Sequence, residues 1–83
     1  MMKPSDLIER YGWVQGRLGN TRIGFCLEGA IFEWAMTQWD KDAYYDAYRK
    51  VSLVIGSRSL SQWNDAPERT KDEVLAVLRQ VGR

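Results

Sequence analysis

Apolar residues recur along the chain at helical spacing in four runs, divided by two long turn-rich stretches and one tight junction. In the first run Leu7, Ile8 and Tyr11 share one face. Pro4 suits a first-turn position, Asp6 and Glu9 place negative charge near the positive helix end, and Gly12 stops the run. The second run, Phe25 to Gln38, carries Phe25, Leu27, Ile31, Phe32, Trp34 and Met36 around most of its axis, broken by Glu28 and Glu33. That pattern predicts the central helix. Gly29-Ala30 within it costs helix propensity but lets another backbone approach closely. After the Trp39-Asp40 junction, Asp40 can cap a third helix that runs through Ile55 and is stopped by Gly56. Its inward stripe is Tyr44, Ala47, Tyr48, Val51 and Ile55, while Tyr45 falls beside Arg49 and Ser52 on the wetter side. Thr70 to Glu73 fits a capping box, and Val74, Val77, Leu78 and Val81 follow at the spacing of a last amphipathic helix.

The segment Gly12 to Gly24 contains Gly12, Gly16, Gly19 and Gly24, too many for a helix. It reads as a loop or a small hairpin, with Gly19-Asn20 turning between Arg17-Leu18 and Thr21-Arg22. Gly56 to Arg69 is turn-rich, and Leu60 and Trp63, three apart, can anchor one short helical turn. No repeat, low-complexity tract or linker divides the chain. Residues 1–83 therefore read as a single all-α domain of about four helices, with the second at the centre and the last two packed on it.

Composition narrows the class. A chain of 83 residues supports one core, and its 12% aromatic content makes that core rich without a disulfide or structural metal. Cys26 has no partner cysteine, which suits a reducing cytoplasm. The segment Met1 to Asp6 has no secretory apolar stretch, and no apolar run reaches membrane-spanning length. A soluble cytoplasmic protein is expected. Net charge is +1, so little long-range field favours nucleic acid, and a protein partner or a second copy of the chain fits better.

The chain has no histidine, which removes Ser-His-Asp, Cys-His and His-rich metal sites from consideration. No catalytic residue, metal or cofactor is expected. Cys26 would need a neighbouring cation or a helix N-terminus to become reactive, and an inert core thiol is the plainer expectation. Asp40, Asp42 and Tyr44 fall at the first three ligand positions of a calcium loop, but Tyr45 replaces its glycine and Val51 its glutamate. The glycine-rich loop, with Arg17 and Arg22, offers an anion or nucleic-acid site, although its spacing matches no nucleotide-binding fingerprint. Gln15 and Asn64-Asp65 could line a polar pocket, against the simpler role of bonding to nearby backbone. Trp39 and Tyr45, left over from the core stripes, are the candidates for partner contact, because aromatics dominate interface energetics.

Three motifs carry a resemblance: Gly12-Trp13-Val14-Gln15-Gly16, then Cys26-Leu27-Glu28-Gly29-Ala30, then Trp63-Asn64-Asp65-Ala66-Pro67 leading into the capped last helix. The sequence resembles a small domain family of unknown function from actinobacteria and their phages. The resemblance implies a compact accessory protein acting on a host or phage protein. It also implies structural roles for Trp13, Gln15, Gly16, Cys26, Gly29, Ala30, Trp63, Asn64 and Asp65.

Overall fold

The computed structural model describes residues 2–83; Met1, part of the N-terminal segment read above, lies outside them. The elements are α1 (Pro4–Tyr11), β1 (Gly19–Asn20), β2 (Gly24–Phe25), α2 (Leu27–Met36), α3 (Lys41–Ile55), α4 (Leu60–Asn64) and α5 (Lys71–Gln80). The all-α expectation of about four helices thus becomes a mostly helical fold of five helices and a two-stranded hairpin among the described residues. The extra helix is the Leu60–Trp63 turn. The Ser59 hydroxyl caps it by accepting from the Gln62 N–H at 3.1 Å, and Leu60 is fully buried.

The hairpin is shifted from its expected register. Gly19 pairs with Phe25 and Asn20 with Gly24, so the turn is Thr21–Ile23, not Gly19-Asn20. Asn20 decides this, because its Oδ1 accepts from the N–H groups of Arg22 (2.8 Å) and Ile23 (3.1 Å) and closes the turn from within. On its other side Phe25 runs alongside residues 12–14: its N–H donates to Gly12 O at 2.9 Å and its carbonyl accepts from Val14 N–H at 3.2 Å. Phe25 therefore belongs to the hairpin, and α2 starts two residues later than its apolar pattern suggested.

Ile8, Phe25, Leu27, Ile31, Val51, Leu60 and Leu78 are among the buried side chains of one hydrophobic cluster. Helix α2 lies against α1, α3, α4 and the hairpin, which makes it central as its composition required. Helix α5 instead packs principally on α1 and α3, not on α2. Polar ties at both its neighbours account for this. Arg79 pairs with Glu9 of α1, the Arg83 carbonyl accepts from the Ser5 N–H (3.0 Å) and hydroxyl (3.1 Å), and the Arg83 guanidinium reaches Asp46 of α3 at 3.3 Å. Among the described residues no helix is long and apolar enough to cross a membrane.

Candidate functional site

The three motif segments meet around one side chain. Asn64, at the end of α4, is fully buried, and its carboxamide has partners at both ends. Its Oδ1 accepts from Trp13 Nε1 at 2.7 Å and from the Leu27 N–H at 3.0 Å, the first turn of α2. Its Nδ2 donates to Val14 O and to Asp65 Oδ1, both at 3.0 Å. Gln15 closes the ring from outside, donating to the carbonyls of Asn64 (3.0 Å) and Ala66 (2.9 Å), while Asp65 Oδ1 also accepts from the Gly16 N–H at 3.0 Å. Trp63 is occupied too: the Arg69 guanidinium lies 3.8 Å over its ring and donates to its carbonyl at 2.9 Å. A buried amide with donors and acceptors matched fixes the segment 13–14, α2 and α4 relative to one another.

Cys26 and Gly29 complete this clasp. The Cys26 sulfur caps α2 by accepting from the Gly29 N–H at 3.2 Å, and a side chain on Gly29 would overlap the Leu18 carbonyl. Ala30 is fully buried on the inner side of α2. Burial pushes the Cys26 thiol above its ordinary range, outweighing the opposing Gly29 N–H. That is the reverse of what a reactive thiolate needs.

A second region lies at the α2–α3 junction, where Trp39 is 90% exposed and Tyr45 is 65% exposed. Phe32 and Met36, which lie on α2 seven and three residues before Trp39, are also exposed, so the apolar girdle of α2 is not wholly core. The Phe32 ring meets Tyr44 edge-on at 5.9 Å between centroids, and Tyr44 meets Tyr45 at 5.2 Å, which links the two helices into one aromatic surface. Beneath it the Tyr44 hydroxyl donates to Glu28 Oε2 at 3.1 Å, and Ser61 Oγ donates to Oε1 at 3.0 Å. Burial, then the Glu28 charge, raise the Tyr44 phenol well above its usual range.

The backbone at this junction is unusual. The Trp39 N–H bonds to Met36 O (3.0 Å) and the Asp40 N–H to Ala35 O (3.1 Å), the paired bonds of a Schellman ending, with Trp39 in the left-handed position at φ 55°. Helices α3 and α5 end on left-handed residues as well, and there the residue is glycine: Gly56 at φ 68° and Gly82 at φ 74°.

Residues 3–83 match DUF6197, a family of unknown function. The chain belongs to that family. No curated protein and no solved structure matches it. In this DUF6197 domain the quoted motif residues build the clasp, whereas Trp39 and Tyr45 lie outside all three motifs.

The glycine-rich loop of the DUF6197 domain holds Arg17 and Arg22, both exposed and without an ion pair among the described residues. Four backbone donors in and after this loop already face protein acceptors: Gly16 N–H meets Asp65, Arg22 and Ile23 N–H meet Asn20, and Leu27 N–H at the head of α2 meets Asn64. Sequence reasoning did not single out Phe32 and Met36, although their spacing with Trp39, at i, i+4 and i+7, was the available signal. It also missed a cleft of about 310 Å³ lined by Met2, Leu7, Tyr11, Thr21, Glu33 and Thr37.

Proposed function

We propose that the chain is a small, cytoplasmic, non-catalytic protein-binding module whose docking surface is the α2–α3 face centred on Trp39 and Tyr45. One observation carries this reading. Trp39 occupies a left-handed helix ending that α3 and α5 give to glycine, at a backbone cost of about 1–2 kcal/mol for an L side chain, and at 90% exposure it recovers almost none of that cost by packing. A large aromatic held where neither the backbone nor the core favours it is accounted for by a contact made outside the chain. Phe32, Met36 and Tyr45 give that contact an apolar surround. An accessory role on a host or phage protein, as the family resemblance implies, is part of this reading.

The test is affinity capture of the tagged chain from actinobacterial lysate, with and without nuclease, beside a Trp39→Ala/Tyr45→Ala variant. A stoichiometric, nuclease-resistant protein that the variant loses, while its circular dichroism stays unchanged, is the expected result. Equal capture by the variant would dismiss this face as the docking surface.

A further inference from the structure

We draw no further inference here: the strongest candidate, the exposed apolar face of Phe32, Met36, Trp39 and Tyr45 at the α2–α3 junction, belongs to the docking surface already proposed, and nothing in the structure shows what covers it.

Discussion

The clasp around Asn64 and the turn at Trp39 are opposites. The clasp is tied within the molecule: Asn64 and Trp13 bond across the fold at 2.7 Å, Gln15 spans two carbonyls, and Gly29 is bare because Leu18 presses on it. At the turn, Trp39 is engaged with almost nothing and sits on a backbone that two other helices of the same chain reserve for glycine. The residues that look most motif-like are thus the ones the architecture consumes. On the reading proposed above, the residue left for a partner is one the architecture does not need, Trp39, and it is costly where it stands.

That contrast makes graded predictions. The clasp should break hardest at Asn64→Ala, which strands the Trp13 indole N–H, the Leu27 N–H and the Val14 carbonyl. With about 1–3 kcal/mol for each buried group left unpaired, a loss of at least about 3 kcal/mol in urea unfolding is expected. A loss below about 1 kcal/mol would mean that water replaces the amide and that the clasp is dispensable. Gly29→Ala comes next. Its new methyl must displace the Leu18 carbonyl, so overpacking should cost about 2–3 kcal/mol and speed amide exchange at Cys26, which donates to that carbonyl.

Tyr44 lies between the two regions, its ring in the exposed aromatic chain and its hydroxyl on Glu28. Tyr44→Phe should cost about 1 kcal/mol, one ordinary hydrogen bond. The same phenol sets a pH dependence, because its pKa is raised in the folded state by burial and by Glu28. Below the unfolded-state value of 10.0 both states keep the proton, and the contribution is fully present. Above that value the unfolded chain ionises first, so stability falls as pH rises through the alkaline range. Thermal melts of wild type should therefore drop more steeply above pH 10 than those of Tyr44→Phe.

Trp39→Gly should have the smallest effect on stability and the opposite sign. Relief of the left-handed backbone, offset by greater freedom of the unfolded chain, leaves a gain of about 0.5–1 kcal/mol. The same variant should lose the protein captured by wild type. A variant that becomes more stable as it loses its contact would sharpen the contrast between the two regions, and a destabilised one would show that Trp39 serves the fold after all.

Much of this architecture was readable from local rules. Asp40 caps α3 by accepting from the Ala43 N–H at 3.0 Å, and Gly56 ends it, as proposed from their positions. The Thr70–Glu73 capping box is reciprocal, with the Glu73 N–H donating to Thr70 Oγ1 at 3.2 Å and the Thr70 N–H to Glu73 Oε1 at 2.9 Å. Caps and stops act within four residues, so the residues that decide them are adjacent in the sequence. The hairpin register was misread because Gly19-Asn20 satisfies the dipeptide rule for a turn, whereas the Asn20 side chain closes a turn one step later. Phe25 was assigned to α2 by its apolar character, which a buried strand shares.

By itself, then, the sequence determined the local items: where α1 and α3 begin and end, where α5 begins, that one short turn would sit at Leu60–Trp63, and that α2 would be central. Tertiary structure alone decided the items that depend on distant segments. It brought Trp13 to Asn64 across 51 positions of chain, set α5 against α1 and α3, and left Phe32 and Met36 uncovered on a helix whose composition reads as core. Periodicity tells which side chains share a face, but whether that face is covered depends on where every other element comes to rest.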